Sequence, residues 1–343
     1  MHIALSRTDN IGDLLFTLPL ASFLKKNIPN AKITLIARSY VKDIADAADY
    51  IDEFISYEDL IKLNIDESDN YIKKYQIDSI VILKKNKYIL DLAKTTKIPH
   101  IVAHLKNYFW HSFSLNPLRW QIVNVNFGPK KETLHYAQKC LKFLNFYNIP
   151  YKVEKKELLH SLKLHVKDFP LVLKFLDNNK INLVLHLGTN GNTSEWPLSQ
   201  FELLIKRMPK NVNILLTGTL EEKKKFAHIL NNHLRVVDLF GKLSVAELLC
   251  LLKHVDGLVA NATGPLHLAA ALGTKVIGLY PSRPVVNSKR WGPLGKHVSV
   301  ISAPTCPLSE KNKKCECMGR ISVDEVLNHI KKIVLKNKIT YVL

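Results

Sequence analysis

The sequence predicts an α/β protein made of two parallel-sheet units, and three observations carry that prediction. Short apolar runs alternate with amphipathic stretches from the first residue, the pattern left by parallel strands joined through crossover helices. The alternation stops at a polar, charged connector around Tyr151 to Asp168 and then begins again. A length of 343 residues suits two domains of ~100 to 200 residues each.

In the first half, strands are expected at His2 to Ser6, Lys32 to Ala37, Glu53 to Ser56, Asp78 to Leu83 and His100 to Ala103. Helices fall between them, over Asp13 to Asn27, Tyr40 to Ala48, Leu60 to Tyr75 and Lys87 to Thr96. Leu105 to Lys130 reads as a long irregular segment, and such a loop in a compact domain is usually functional. A helix over Glu132 to Tyr147 follows. After the connector, strands recur at Asn182 to Leu187, Asn213 to Thr217, Val236 to Leu239, Gly257 to Ala260 and Lys275 to Tyr280. The last amphipathic stretch, Ser322 to Lys338, opens with Ser322 and Glu325 spaced as a capping box.

Composition narrows the class. Hydrophobic residues at 47% and charged residues at 23% exclude fibrous and disordered chains. Forty-nine Lys plus Arg against thirty Asp plus Glu leave a formal charge of +19, which points to an anionic partner: nucleic acid, acidic lipid or a phosphorylated substrate. The basic residues are scattered and no nucleic-acid motif occurs, so nucleic acid is set aside. Five cysteines in a chain of this size fit a reduced, cytoplasmic protein. The apolar stretch Ile11 to Leu24 contains Asp13 and Pro19, is shorter than the ~20 residues of a spanning helix and lacks a basic leader, so neither signal peptide nor membrane span is expected.

Open parallel sheets bind ligands beyond the carboxyl ends of their strands, which directs attention to three loops. The first, Arg7 to Asp13, reads R-T-D-N-I-G-D. Gly12 permits a tight turn, and Asp13 falls near a helix N-terminus, either as a cap for free backbone donors or as a general base. A helix N-terminus lowers a carboxylate's pKa, so a base there needs burial to restore its basicity. The second loop, A-N-A-T-G-P-L-H over Ala260 to His267, precedes an alanine-rich helix. Gly264 suits a cap and Pro265 a first helical position; the amides around Thr263 and Gly264, with the Thr263 hydroxyl and the His267 imidazole, form either a structural turn or a diphosphate site. The third, L-G-T-N-G-N-T-S-E-W-P over Leu187 to Pro197, is neither GxGxxG nor a Walker loop, though its hydroxyls and amides suit phosphate. Trp196 and Pro197 are expected to start the next helix and fill core.

No D-x-D triplet occurs, so no divalent-metal clamp is expected. Cys306, Cys315 and Cys317 offer three thiols at C-x8-C-x-C spacing, which is not a standard zinc pattern, and they are taken as free. The irregular segment carries Tyr108, Phe109, Trp110, His111, Phe113, Arg119 and Trp120, flanked by Lys84, Lys85, Lys87, Lys106, Lys130 and Lys131. Such a mixture can sit among anionic headgroups, hold a phosphorylated lipid, stack bases, or simply pack beneath a loop.

Together the opening I-A-L-S-R-T-D-N-I-G-D-L-L-F-T-L-P-L, the segment W-P-L-S-Q-F, and N-A-T-G-P-L-H-L-A-A-A-L-G-T-K-V-I-G-L-Y resemble glycosyltransferase family 9, the lipopolysaccharide heptosyltransferases. As an ordered set covering nearly the whole chain they are specific. The resemblance implies a GT-B fold: two Rossmann-like domains facing a cleft, 1–165 binding the acceptor and 166–321 the nucleotide sugar. A C-terminal helix, 322–343, would pack back on the N-terminal domain. It implies inverting transfer from ADP-heptose to the Kdo-lipid A inner core or a core heptose, with no metal and no cofactor. Asp13 matches the family's base. Thr263 and Gly264 match its diphosphate-binding pair and His267 its histidine, Asn261 is a further donor-side candidate, Thr189 and Asn190 fall where phosphates are contacted, and Leu243 falls near the adenine contact. Arg7, Asn10 and Gly12, with Lys106, Trp110 and Arg119 of the basic aromatic segment, are the matching acceptor-side candidates.

This sequence departs from the family in two donor positions. Ala262 stands where an Asp commonly contacts the donor sugar, and Ser194 where a Lys commonly counters the diphosphate. Arg283, Lys289 or Arg290 could replace that charge. The expected partners are a nucleotide-sugar donor and an anionic lipid-linked saccharide, met peripherally at the inner face of the inner membrane. The alternatives are a family transferase using another nucleotide sugar, or an inactive nucleotide-sugar-binding protein.

Overall fold

The computed structural model describes residues 1–104, 121–125, 134–191, 193–232, 235–283, 286–305 and 316–335, and the chain divides into two compact units, Met1–His165 and Val166–Leu343.

Unit 1 holds six strands, β1 (His2–Arg7), β2 (Lys32–Ala37), β3 (Glu53–Ser56), β4 (Ser79–Ile82), β5 (His100–Ala103) and β6 (Gln121–Asn124). All pair in parallel, in the order β3-β2-β1-β4-β5-β6. Every residue of β1 and β4 is buried, as expected for strands covered by helices on both faces. Because β1 lies next to β4, the strand order reverses there, and the loops that leave these two strands open the crevice where such sheets bind ligands.

β6 falls inside the stretch read as irregular; its register with β5, Ile101 to Ile122 and Val102 to Val123, recruits the short segment Q-I-V-N as the sheet's edge. The helix read over Leu60 to Tyr75 is two helices, Tyr57–Lys62 and Ile65–Lys73. Asn64 starts the second by accepting the N–H of Glu67 at 2.9 Å, while the Glu67 carboxylate accepts the N–H of Asn64 at 3.0 Å. The described part of the Glu132 to Tyr147 helix is an α-helix, Tyr136–Leu141, that tightens to a 3-10 helix over Lys142–Tyr147 and ends at Asn148 with φ 56°.

Unit 2 repeats the plan with β7 (Ile181–His186), β8 (Val212–Thr217), β9 (Val236–Asp238), β10 (Gly257–Asn261), β11 (Lys275–Tyr280) and β12 (Val298–Ser302), parallel in the order β12-β11-β10-β7-β8-β9. Its reversal lies between β7 and β10, so the loops after these two strands border the ligand crevice of this unit's own sheet. β12 is a sixth strand beyond the five read from sequence.

The C-terminal helix Val323–Ile330 is capped by Ser322, whose hydroxyl accepts the N–H of Glu325 at 3.1 Å. Val323, Val326, Leu327, Ile330, Val334 and Leu335 join one apolar core with Trp196, Phe201 and Val259, all of unit 2. An ion pair from Arg207 to Asp324 adds a polar tie. The segment expected to pack back on the first domain therefore buries its apolar face within the second unit through Leu335; 336–343 lie outside the described residues. Among the described residues no helix is long and apolar enough to cross a membrane.

Candidate functional site

The loop after β1 gathers charge around one buried cation. The side chain of Arg7 is 2% exposed, and its Nε lies 2.6 Å from Asp9 Oδ1. Nη2 donates to Asp13 Oδ1 at 2.6 Å, and Nη1 donates to Tyr136 Oη at 3.1 Å and to the Leu83 carbonyl at 3.4 Å. The guanidinium carbon sits 5.2 Å from the Tyr136 ring centre, so the ring closes the remaining face. Burial opposes the charge on Arg7, yet Tyr136, Asp9 and Asp13 more than offset it, and the group stays a cation.

Asp13 does not cap its helix, Ile11–Asn27. Asn10 occupies the capping position, and the Asp13 carboxylate turns toward Arg7 from the first turn. Its side chain is 21% exposed. Burial pushes this carboxyl above the ordinary aspartate range, the charge of Arg7 pulls it down, Asp9 pushes it up again, and the net direction is upward. A helix N-terminus by itself would do the opposite.

The other acceptor-side candidates separate. Arg7 is buried and donates through both Nη atoms to protein partners, while its Nε makes only the ion-pair contact with Asp9, without a hydrogen bond; Asn10 is exposed and Gly12 half-buried beside Asp13. Lys106, Trp110 and Arg119 lie outside the described residues, as does the rest of the basic aromatic segment. Of its flanking lysines, Lys84 lies 3.4 Å from Asp9 Oδ2 and Lys87 pairs with Asp91 at 2.6 Å.

In unit 2, Thr263 rather than Gly264 is the N-cap of the helix Gly264–Ala271, with Pro265 inside the first turn. The Thr263 hydroxyl makes no capping bond, and its Oγ1 is buried without a hydrogen-bond partner. First-turn amides have no intrahelical acceptor, so this end presents donors and the positive pole of the helix, with buried His267 on the same turn. Asn261 is wholly buried at the end of β10, and Ala262 is half-buried.

The loop after β7 is tied down by carboxylates. The N–H of Thr189 donates to Glu195 Oε1 at 3.2 Å, and that of Asn190 to Glu222 Oε1 at 3.0 Å. The backbone amides of both residues are thus held by carboxylates. Glu222 also accepts from Thr219 N–H at 3.0 Å through Oε2, so it joins the loops after β7 and β8. Lys225 forms an ion pair with Glu195. Ser194 and Leu243 are half-buried. Trp196 fills core as read, 2% exposed with its ring 4.7 Å from Phe201, while Pro197 caps the helix Leu198–Arg207. Of the cations considered as substitutes for a lysine at 194, Lys289 is exposed, while Arg283 and Arg290 each bury an Nε without a hydrogen-bond partner.

Asp9, Tyr136 and Glu222 were not singled out in the sequence. Asp9 sits in the same heptapeptide as Asp13. Glu222 carries the signal T-x-x-E after a strand, realised as a Thr219 hydroxyl accepting the Glu222 N–H at 3.2 Å. Tyr136 lies 129 positions from Arg7 and carries no local signal.

Among the described residues one group, Asp168, Cys250 and His254, has donor atoms within 4.8 Å of one another. Asp168 Oδ1 is already held by His254 Nε2 at 2.8 Å and Lys253 Nζ at 3.0 Å, and Cys250 Sγ accepts the N–H of Phe169 at 3.3 Å. Cys317 is a buried free thiol; Cys306 and Cys315 lie outside the described residues.

Residues 83–320 match the family described as glycosyltransferase family 9 (heptosyltransferase). A Haemophilus influenzae protein named as a candidate glycosyltransferase is 26% identical over 340 residues, covering 96% of this chain and 95% of its own. Lipopolysaccharide heptosyltransferase 1 of Campylobacter coli is 24% identical over 353 residues, covering 97% and 99%. The solved ADP-heptose LPS heptosyltransferase II of E. coli superposes with a TM-score of 0.73 at 15% identity, over 98% of this chain and 100% of that one. The pair of parallel-sheet units is the α/β arrangement of the GT-B heptosyltransferases.

Proposed function

The chain belongs to glycosyltransferase family 9, and from that membership we propose that it transfers a heptose from ADP-heptose to the lipopolysaccharide inner core with inversion and without a metal. The observation that carries the proposal is Asp13: a carboxylate at the strand-order reversal of unit 1, partly exposed, oriented by a buried arginine and raised in proton affinity. The relatives named as lipopolysaccharide and ADP-heptose heptosyltransferases support the choice of donor and acceptor class.

In this reading the acceptor hydroxyl gives its proton to Asp13 as its oxygen bonds to the anomeric carbon. The bond from that carbon to the diphosphate breaks, and its electron pair leaves on the nucleotide. Unit 2 supplies the donor half: the amides of the Gly264–Ala271 helix, the unpartnered Thr263 hydroxyl and His267 stabilise charge that develops on the leaving diphosphate. Arg283 and Arg290 stand in for the basic residue absent at Ser194. The formal charge of +19 suits an anionic lipid-linked acceptor met at the inner face of the inner membrane.

A second reading keeps the chemistry and changes the donor sugar. It is favoured by Ala262, and by Glu195 and Glu222 holding the amides of the β7 loop. A thermal-shift screen of ADP-heptose against UDP and GDP sugars, followed by turnover with the donors that stabilise the chain, separates the two, since a ligand bound only by the folded state raises the melting temperature. Stabilisation by a UDP or GDP sugar but not by ADP-heptose selects the second reading. Donor binding with no turnover toward any core acceptor selects an inactive binding protein.

A further inference from the structure

The pocket around Arg7 holds one more carboxylate than its single charge balances. Asp9 Oδ1 meets Nε at 2.6 Å, Asp13 Oδ1 meets Nη2 at 2.6 Å, and the side chains of Arg7 and Asp9 are 2% and 9% exposed. Water therefore reaches this cluster chiefly along the Asp13 edge. One cation and two anions in so small a volume carry a net negative charge.

We propose that Arg7 and Asp9 are a charge-compensating pair that positions Asp13 and sets its proton affinity, so that the buried guanidinium keeps an anionic partner when Asp13 takes up the acceptor's proton. The inference rests on Asp13 being the base. Before transfer Arg7 faces two carboxylates. Once Asp13 has become a neutral acid, Arg7 and Asp9 remain as a neutral pair, and the surplus charge is gone. Removing surplus charge from a buried site is favourable, so Asp9 drives proton uptake by Asp13.

Without Asp9 the balance reverses. Arg7 and Asp13 alone would be neutral before transfer, and protonating Asp13 would leave a buried cation without a partner, a state that costs heavily. A carboxylate bonded to a single arginine is ordinarily a weak base, lowered by ~1 to 3 pH units. The second carboxylate is what makes an arginine-bound aspartate serviceable.

The other titratable groups around Asp13 are either neutral or cations screened by water. Tyr136 and Cys140, on the helix Tyr136–Leu141, are each pushed up to about 12 by burial and stay neutral. Tyr40 is raised by burial and is neutral as well. Lys84 reaches Asp9 Oδ2 at 3.4 Å from an exposed side chain and weakens the surplus without cancelling it in water-screened surroundings. Arg38 keeps its charge while its Nε donates to the Thr8 carbonyl at 3.0 Å, but the residue is exposed and water screens it. Arg7 is accordingly a positioning residue, not an acceptor contact.

The test is the Asp13 titration itself, read by carboxyl-carbon NMR on the full chain, alongside the pH profile of turnover. Asp9→Asn should lower the Asp13 midpoint by ~1 pH unit and move the acid limb of kcat/KM the same way, since activity needs the deprotonated form. On the plateau kcat should fall roughly tenfold while KM for donor and acceptor stays within about twofold. Asp9→Glu should restore both. Arg7→Lys cannot reach both carboxylates at once and should raise the midpoint; it carries the test should Asp9→Asn fail to fold. An unchanged Asp13 midpoint in the folded variant overturns the proposal. If Asp13→Asn turns over like the wild type, the reading of Asp13 as base falls and takes this inference with it; if Asp13→Asn is inactive while Asp9→Asn titrates and turns over normally, only the inference falls.

Discussion

Asn261 fastens the end of β10 to Trp196: its Oδ1 accepts the Trp196 N–H at 2.9 Å while its Nδ2 donates to the Leu187 carbonyl at 2.6 Å. One buried amide thus fixes the exit of β10, the exit of β7 and the start of the Leu198–Arg207 helix. Asn261→Ala leaves a donor and an acceptor unpaired in the interior, at ~1 to 3 kcal/mol each. For a unit of this size that amounts to a fall in Tm of about 4 to 24 °C, visible by calorimetry. The β7 and β10 loops should loosen together, so donor affinity should drop as well. A variant that melts and binds like the wild type would mean water replaces both bonds.

Asp13→Asn removes the proton acceptor and keeps the shape. The expected loss in kcat is ~100- to 10,000-fold, the range for a positioned general base. Nucleotide affinity, which belongs to unit 2 in this reading, should be unchanged by calorimetric titration. A loss confined to KM would instead make Asp13 a binding group.

What the sequence disclosed about these sites follows from distance along the chain. Gly12, Asp13, Thr263, Gly264 and His267 sit in loops that begin where an apolar run ends, so strand, turn and helix start could be read locally. The strand-order reversal that makes the loops after β1 and β7 important is set by β4 and β10, 76 and 74 positions away at the contacts with Arg7 and Leu187, and no local pattern reports it. Edge strands were lost for another reason. β6 is four residues long beside an aromatic stretch, and β12 reads V-S-V-I-S, an alternation too short to stand out without its partner β11. The break between the helices Tyr57–Lys62 and Ile65–Lys73 was legible in N-x-x-E at Asn64 and Glu67, but helical periodicity runs through it.

Two glycines next to Glu222 should respond differently to alanine. A Cβ on Gly188 would come within 1.8 Å of Glu222 Oε1, the far end of a flexible side chain. A Cβ on Gly218 would meet the Phe240 ring at 2.5 Å, and that ring is 1% exposed and stacked on Phe226 at 5.7 Å. Gly188→Ala should therefore displace the carboxylate from the amides of Asn190 and Thr219 and cost about 1 kcal/mol or less, partly offset by a stiffer unfolded chain. Gly218→Ala has no cheap escape and should cost ~1 to 3 kcal/mol through overpacking. Denaturant midpoints of the two variants check the ranking, and equal losses would sink it.

His186 should make the second unit sensitive to mild acid. Its ring is buried at the end of β7, with Nδ1 3.0 Å from Thr217 Oγ1, and burial pushes it down to about 4 against the opposing pull of Glu222. The folded chain therefore keeps this imidazole neutral while the unfolded chain protonates it near 6.5. Its contribution is present in full above the unfolded value and is lost as pH falls from there toward the folded one. Between pH 7 and pH 5 the loss from this residue alone should be about 2 kcal/mol, with stability decreasing toward acid because the unfolded state binds the extra proton. His186→Asn cannot titrate and preserves a polar partner for Thr217, so its stability should fall less over the same interval. His2, lowered by burial in unit 1, titrates identically in both chains, so the difference between them isolates His186. Denaturant unfolding at the two pH values measures that difference, and parallel curves for wild type and variant would show that the buried ring is charged in the folded chain.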